Sequence, residues 1–197
     1  MNKRKKLVCG VGVNDADYLV AINCKFTKKS VFRCPFYTVW AHMLERCYSK
    51  KYQARKPTYI GCSVCVEWLK FSKFKAWMEK QDWHGKQLDK DILKPSNKIY
   101  CPEFCSFVDT KTNCFINDQS KKRGPFAIGC SWHKRDKHFR AMCNNPISGL
   151  NESLGSFESE VMAHQAWCER KHELACQLAD LQTDHRVAEA LRNRYKK

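Results

Sequence analysis

The chain has 197 residues, of which 36 are lysine or arginine and 20 are aspartate or glutamate, so its formal net charge is +16. Hydrophobic residues make up 43% and aromatic residues 12%, which excludes a disordered polycation. Apolar runs stay far below the roughly 18–20 residues of a membrane span, and no secretory pattern follows the basic start. We therefore expect a cytoplasmic protein whose partner is a polyanion, with no membrane partner and no small-molecule substrate.

The charge is unevenly distributed along the chain. Residues 1–150 carry 29 basic and 12 acidic side chains, a net charge of +17, whereas residues 151–197 carry 7 and 8, a net charge of −1. The polyanion is thus expected to meet the first three quarters of the chain, and the last quarter to act as a neutral scaffold. The alternative is that the lysines serve solubility alone.

The chain has thirteen cysteines, an odd number that cannot all pair in disulfides. Because we expect a cytoplasmic protein, we expect these thiols to be reduced and mostly buried. Two close pairs leave structural Zn²⁺ open as an alternative, because a tetrahedral zinc takes four such ligands. The pairs are Cys62 with Cys65 and Cys101 with Cys105, and Cys47 is a substitute ligand.

Periodicity and turn residues predict the first elements in chain order. Short strands are expected over residues 7–13 and 18–22. From Pro35 to Cys47, apolar residues recur every three or four positions, which predicts an amphipathic helix. A basic loop over residues 50–58 and a second helix over about 66–80 follow.

A segment rich in short apolar runs, residues 87–113, comes next and ends in a basic linker containing Gly and Pro. Beyond the linker the pattern predicts three strands, at 126–132, 139–143 and 154–157, and one long helix that begins near Ser159 and continues past Ala179. The predicted domains are therefore residues 1–119, a linker at 120–125, residues 126–182 and a basic C-terminal tail at 183–197.

Several separated blocks of the first part agree in order with one family. Residues 88–113 resemble the ββα-metal core of HNH endonucleases of the phage homing type. Two upstream blocks are similar to helices of phage HNH-like proteins. They are Tyr37, Trp40, Met43, Leu44, Arg46, Cys47 and Tyr48, then Gly61, Cys62, Val64, Cys65, Glu67 and Trp68.

This resemblance implies one divalent metal held against a scissile phosphate. Asp89 and Asn113 fit the two metal-ligand positions, and their hard oxygens suit Mg²⁺ or Mn²⁺. Lys90 stands at the general-base position, where the family has histidine, and Phe104 replaces the asparagine that positions it. A lysine at its reference pKa of about 10.4 is protonated at neutral pH, so Lys90 is left to contact the phosphate unless burial depresses its pKa. If Lys90 is not the base, Asp91 or His84 is a substitute base. The alternative interpretation of residues 89–91 is a charged turn that is exposed to solvent and has no catalytic role.

The part beyond the linker resembles the apetala/ethylene-response type of DNA-binding domain, in which a three-stranded sheet lies in the major groove and a helix backs it. The matching residues are Ile128 to Trp132, Phe139 to Ala141, Leu154 to Phe157, Ala163, Ala166 and Trp167. The resemblance assigns DNA contacts most directly to Trp132 and Arg140, since arginine can bind guanine bidentately. Nearby candidates are Ser131, His133, Lys134, Arg135 and Lys137. Alternatively, Trp132 is a core residue and the basic cluster a solvated face.

Together these features predict an α+β protein, with an N-terminal HNH-like ββα-metal domain followed by a three-stranded antiparallel sheet packed on one long helix. The predicted function is a metal-dependent endonuclease or nickase that hydrolyses a phosphodiester of double-stranded DNA, as a monomer or homodimer. The alternative is a catalytically degenerate HNH-fold protein that binds DNA in phage regulation or interferes with host DNA functions. A zinc-stabilised adaptor for RNA or protein is a third hypothesis.

Overall fold

The computed structural model describes residues 7–23, 25, 27, 30–117 and 124–196. The chain divides into two compact units, with the boundary after Phe107. This boundary lies twelve residues before the predicted end of the first domain, and residues 120–123 of the predicted linker lie outside the described residues. No helix in the described ranges is long and apolar enough to cross a membrane.

The first unit consists of short strands around three helices. The strands are β1 (Ala21–Asn23), β2 (Ser30–Arg33), β3 (Ser63–Val64), β4 (Gln87–Asp89), β5 (Ile99–Tyr100) and β6 (Ser106–Val108), and the helices are α1 (Pro35–Tyr48), α2 (Lys50–Arg55) and α3 (Phe71–Met78). Strands β1 and β2 pair antiparallel, β3 and β5 pair parallel, and β4 pairs with β6. Helix α1 confirms the predicted amphipathic helix, whereas α2 occupies part of the predicted basic loop.

Aromatic side chains from α1 and α3 form the core of this unit. Trp40 is fully buried, and its indole N–H donates to the carbonyl of Trp68 at 2.7 Å. The Trp40 ring also lies 5.5 Å from that of Phe71, at the start of α3. Each such aromatic removes a large apolar area from water and fixes its neighbours by ring geometry. The unit is therefore held by packing between helices rather than by its two-stranded sheets.

The predicted helix over residues 66–80 is interrupted at Lys70. A 3₁₀ turn, Glu67–Leu69, precedes Lys70, whose extended backbone separates it from α3. Val13 lies beside this break, donating its N–H to Leu69 O at 2.8 Å and accepting from Phe71 N at 3.0 Å. Because a neighbouring segment uses these backbone groups, the helix cannot continue through Lys70.

The second unit places a three-stranded sheet against a long helix. Its elements are α4 (Thr110–Ile116), β7 (Cys130–His133), β8 (His138–Asn144), β9 (Asn151–Phe157), α5 (Glu160–Asp180) and α6 (His185–Arg194). The sheet is antiparallel with the order β7-β8-β9, which confirms the predicted sheet and the long helix. In β8, Ala141 and Cys143 are buried and Met142 and Asn144 are exposed, so one face of the strand packs inward and the other faces solvent.

A close contact fixes the start of this sheet on α5. Gly129 has a φ of +82°, and a Cβ atom at this position would lie 2.1 Å from Cδ1 of Trp167 on α5. Only glycine combines that backbone conformation with so close an approach. The carboxylate of Glu160, in the first turn of α5, accepts from Ala127 N at 2.6 Å and ties the same loop to the helix.

Helix α4 belongs to the second unit because its backbone carbonyls and side chains bond to α5, to α6 and to the segment between them. Lys171 Nζ donates to Phe115 O at 2.8 Å and lies 3.4 Å from the centroid of the Phe115 ring. Gln182 Nε2 donates to Thr112 Oγ1 at 3.3 Å, and Arg194 Nη2 donates to Ile116 O at 3.3 Å. These bonds explain why the unit begins before the predicted linker.

The predicted basic tail contains a packed helix. Val187 and Leu191 of α6 are buried, and the side chain of Asp184 accepts from Arg186 N as the N-terminal cap. Arg192 and Arg194 lie in the last turn of α6, where positive charge stabilises a helix.

Candidate nucleic-acid interface

The β7–β8 hairpin carries a basic surface on the side of the sheet that faces away from α5. Arg140 pairs with Ser131 on β7 and with Ser156 on β9, one position from buried Ala141. Because successive side chains of a strand point to opposite faces, Arg140 points away from the buried face that contains Ala141. Its side chain is 41% exposed. We call the outward face of Ser131, Arg140 and Ser156 the outer face.

Trp132 lies on the opposite side of the sheet from Arg140. It pairs with Phe139, and the two ring centroids are 4.8 Å apart. Phe139 contacts Phe126 in turn, at 5.4 Å. The resemblance assigned DNA contacts to Trp132 and Arg140 together, but the register separates them. The aromatic contacts of Trp132 are those of a packing residue, although 38% of it is exposed.

Residues 134–137 form the turn that joins β7 to β8, and all four are exposed. Lys137 has a φ of 51°, in the left-handed region that allows the chain to reverse within a short turn. The turn places Lys134, Arg135 and Lys137 at one end of the outer face. Such a cluster of cations suits phosphate contacts, while Arg140 on the strand suits a base edge.

One carboxylate sits among these cations. Asp136 Oδ1 accepts from Arg135 Nε at 2.8 Å, and Asp136 Oδ2 accepts from Arg140 Nη2 at 3.2 Å. The hydrogen bond from Arg135, and then the proximity of His133, His138 and Arg140, lowers the pKa of Asp136. Asp136 therefore stays ionised and neutralises part of the basic surface.

Two histidines flank that carboxylate. His133 and His138 are the last cross-strand pair before the turn, and one ligand atom from each lies within 4.8 Å of the other and of an Asp136 oxygen. Within the described ranges this is the single group of three or more His, Cys, Asp or Glu residues with such spacing. We call these three residues the hairpin triad; it is a candidate metal site.

The structure places Asp89 at the end of β4 in the first unit. Its Oδ1 accepts from the backbone N–H groups of Asp91 and Ile92, both at 2.7 Å. Burial raises the pKa of Asp89, while these two hydrogen bonds oppose the rise. Asp89 thus has a fixed orientation, and both bonds use Oδ1, which leaves Oδ2 for another ligand.

Lys90, at the position of the expected base, is buried. Its Nζ donates to both carboxylate oxygens of Asp91 and to Asn97 O, each at 2.7 Å. Asn97 Nδ2 returns a bond to Lys90 O at 2.9 Å. An ammonium group has three donors, and here all three have acceptors, so Lys90 serves as a clamp across the β4–β5 connection. We call Lys90, Asp91 and Asn97 the lysine clamp.

The other predicted nuclease residues are Asn113, His84 and Asp91. Asn113, the second expected metal ligand, is on α4 in the second unit, where its Oδ1 accepts from Asn117 Nδ2 at 3.2 Å. His84, the substitute base, is exposed and stacks on Trp83 with 3.8 Å between ring centroids. Asp91, the other substitute, uses both oxygens on Lys90.

The four cysteines proposed for zinc are free thiols that do not form a metal-ligand cluster among the described residues. Burial raises the pKa of each of them, in the case of Cys65 to about 11. Neutral thiols in apolar surroundings behave as small hydrophobic side chains. Their surroundings are thus those expected for core residues.

Sequence reasoning missed Asp136, His138 and Asn97. The spacing His133-x2-Asp136-x-His138 is visible in the sequence, but it indicates a ligand set only if residues 134–137 form the turn that pairs the two histidines. No local pattern around Asn97 indicates that its backbone oxygen accepts a hydrogen bond from a buried ammonium group.

In comparisons with protein-family models, with curated proteins and with solved structures, nothing matches the chain.

Proposed function

We propose that the protein binds double-stranded DNA through the β7–β8 hairpin. The observation that carries this proposal is the strand register, which puts Arg140 on the uncovered outer face while the turn gathers three further cations beside it. A two-stranded ribbon of this kind fits the major groove, where arginine distinguishes guanine by two hydrogen bonds. The excess of basic residues elsewhere in residues 1–150 supplies contacts to the phosphate backbone.

The test is a measurement of sequence preference on duplex DNA. A cognate site would be selected from a randomised duplex pool, and affinities of single-base variants would be measured by fluorescence anisotropy at fixed salt. We expect Arg140→Ala to reduce discrimination at one base pair by about 1–3 kcal/mol. Arg192→Ala is the matched control, because Arg192 pairs with one carboxylate, Asp180, on a helix outside the hairpin. An unchanged preference in Arg140→Ala would mean that the outer face does not contact bases.

A second candidate function is metal-dependent nicking of the bound DNA. The pairing of β4 with β6, with α4 next in the chain, supports the ββα interpretation, and the fixed carboxylate of Asp89 supports a ligand role. Mg²⁺ or Mn²⁺ would be held by Asp89 and Asn113 and would polarise the phosphate. The lysine clamp favours the non-catalytic alternative, since Lys90 and Asp91 are engaged with each other.

Nicking would be assayed on supercoiled plasmid with Mg²⁺ or Mn²⁺. If the site is catalytic, we expect the native protein to convert supercoiled to open-circular DNA, and Asp89→Ala and Asn113→Ala to abolish the conversion. His84→Gln tests whether that side chain replaces the missing base. Activity retained in both ligand variants would overturn the assignment of Asp89 and Asn113 as ligands, and no nicking by the native protein would leave DNA binding as the function.

A further inference from the structure

We propose that the hairpin triad binds one divalent transition-metal ion, and that the ion releases Arg140 from Asp136. The first part concerns His133, Asp136 and His138 alone. The second part rests on the proposed binding of DNA by the hairpin. Each part has an experiment of its own.

His138 is already oriented as a metal ligand. Its Nδ1 lies 3.1 Å from the backbone oxygen of Asp136, and since a carbonyl oxygen can only accept, Nδ1 carries the hydrogen. The lone pair is therefore on Nε2, which is buried and has no hydrogen-bond partner among the described residues. A ring nitrogen held by a carbonyl, with the other nitrogen left for the ion, is the usual arrangement of metal-binding histidine.

His133 supplies the second ligand. Its Nδ1 lies 2.9 Å from Asp136 Oδ2, but the two atoms are not aligned as a hydrogen bond, and within the described part of the chain Nδ1 is buried without a partner. A buried polar atom without a partner destabilises the folded protein. One ligand atom of each histidine lies within 4.8 Å of the other and of an Asp136 oxygen, so an ion coordinated by the three residues would supply a partner for both buried ring nitrogens.

The donor set determines the class of ion. Two imidazoles and one carboxylate suit Zn²⁺ and its neighbours Co²⁺ and Ni²⁺, whereas Mg²⁺ prefers oxygen ligands alone. Three protein ligands leave a fourth position for water in tetrahedral zinc. Two of the ligands flank a four-residue turn and the third lies within it, so the hairpin itself sets their separation.

Metal binding has a direct consequence for the outer face. Asp136 Oδ2, the oxygen next to His133, is also the oxygen that accepts from Arg140, whereas Arg135 bonds to Oδ1. An ion on Oδ2 competes with the Arg140 guanidinium and leaves the Arg135 bond in place. It also adds two positive charges to the turn, so a loaded hairpin would present Arg140 to DNA in a more positive field.

The first experiment measures metal binding without DNA. Chelator-treated protein would be titrated with Co²⁺ while the visible d–d absorption is recorded, and Zn²⁺ would then displace the Co²⁺. We expect one equivalent with a nitrogen and oxygen ligand spectrum, lost in Asp136→Asn and in His138→Gln. His84→Gln is the control, because His84 is an exposed histidine outside the triad and should keep the signal. Identical titrations of native protein and Asp136→Asn, or no binding at all, would overturn the site.

The second experiment measures affinity for a cognate duplex with and without Zn²⁺. We expect Zn²⁺ to tighten binding by the native protein about tenfold, which is the size expected for one additional charge-assisted hydrogen bond to DNA. Arg140→Ala should lose most of that tightening and keep only the part that the added positive charge of the ion supplies. Asp136→Asn should bind DNA without a response to metal and at least as tightly as the metal-free native protein, since the carboxylate that holds Arg140 is gone.

The outcomes separate the two parts. One equivalent of metal with unchanged DNA affinity would overturn the release of Arg140 while supporting the site. Failure of the protein to bind any duplex, with or without Zn²⁺, would overturn the proposed function, and the Co²⁺ titration would still decide the metal site.

Discussion

Two short charged segments of this chain, residues 89–91 and residues 134–137, have opposite structural roles. In residues 89–91 the cation of Lys90 is 5% exposed, and its three donors are satisfied by Asp91 and Asn97. In residues 134–137 the three cations are exposed and share one carboxylate, Asp136. In residues 89–91 the positive charge is compensated by acceptors of the same unit. In residues 134–137 most of the positive charge stays available to a binding partner.

The difference lies in the number of acceptors that surround each cation. A buried ammonium group is tolerated only when carboxylate and carbonyl oxygens replace its lost hydration, and the lysine clamp provides three. The exposed turn has one carboxylate for several cations, so its field extends into solvent. A positive net charge therefore indicates a polyanionic partner only where the cations are exposed and outnumber the nearby carboxylates, as in residues 134–137.

The largest effect is expected from Lys90→Ala. Breaking a buried ion pair costs about 3–5 kcal/mol, and because Asp91 is 43% exposed and can regain water, we expect about 3 kcal/mol from the first unit. Chemical denaturation followed by tryptophan fluorescence would measure the loss. Lys73→Ala, at an exposed position of α3, should change stability by less than about 0.5 kcal/mol. Equal stability of the two variants would show that the clamp contributes nothing to folding.

A second substitution at this position, Lys90→Met, tests whether Lys90 takes part in catalysis. If Lys90 acts only in the clamp, nicking by Lys90→Met, measured well below its unfolding temperature, should equal that of the native protein. A complete loss of nicking in a folded Lys90→Met variant would assign Lys90 a role at the phosphate.

Elements with a strong local pattern were predictable from the sequence. The periodicity between Pro35 and Cys47 gave α1, and the strand pattern with the helix after Ser159 gave the sheet and α5. The break at Lys70 was not predictable, because it depends on Val13, which is 57 residues away in the chain. The placement of the unit boundary after Phe107 was not predictable either, since α4 bonds to residues of α5, of α6 and of the segment between them.

The candidate site was predictable by composition but not by geometry. Residue type indicated that Arg140 and Lys134 suit DNA, but only the pairing of Trp132 with Phe139 shows that this tryptophan is on the other face. The hairpin triad depends on the same register, because His133 and His138 meet only when they are paired across the turn. The HNH assignment of Asp89 and Asn113 stays a prediction.

A moderate effect is expected from the exposed turn. Lys134→Ala should weaken DNA binding about equally on all sequences and reduce the slope of log affinity against log salt by about 1, the loss of one phosphate contact. Anisotropy titrations at several salt concentrations would measure the slope. Arg140→Ala, in contrast, should change base preference, so the two variants separate contacts to phosphates from contacts to bases. A slope that stays unchanged would remove Lys134 from the interface.

The smallest effect is expected on the pH dependence of stability and concerns the partly exposed ion pair between Arg170 and Glu152. Arg170 on α5 donates to both oxygens of Glu152 on β9, with Nε to Oε2 at 2.7 Å and Nη2 to Oε1 at 3.1 Å. The hydrogen bonds from Arg170, and then that from Asn145, lower the pKa of Glu152 to about 2. Folding thus favours the ionised carboxylate relative to an unfolded chain, in which the pKa of glutamate is about 4.3.

The sign of the pH dependence follows from that difference. The contribution of Glu152 to stability is complete above about pH 4.3 and is lost as the pH falls toward about 2, because protons then bind the unfolded chain first. Unfolding of native protein and Glu152→Gln would be compared between pH 5 and pH 2, and we expect the native curve to fall more steeply. Other lowered carboxyls, such as Asp109, titrate in both proteins and cancel in the comparison. Glu158→Gln, at an exposed position before α5, should follow the native curve, and parallel curves for native and Glu152→Gln would mean that the Arg170 pair is fully screened by solvent.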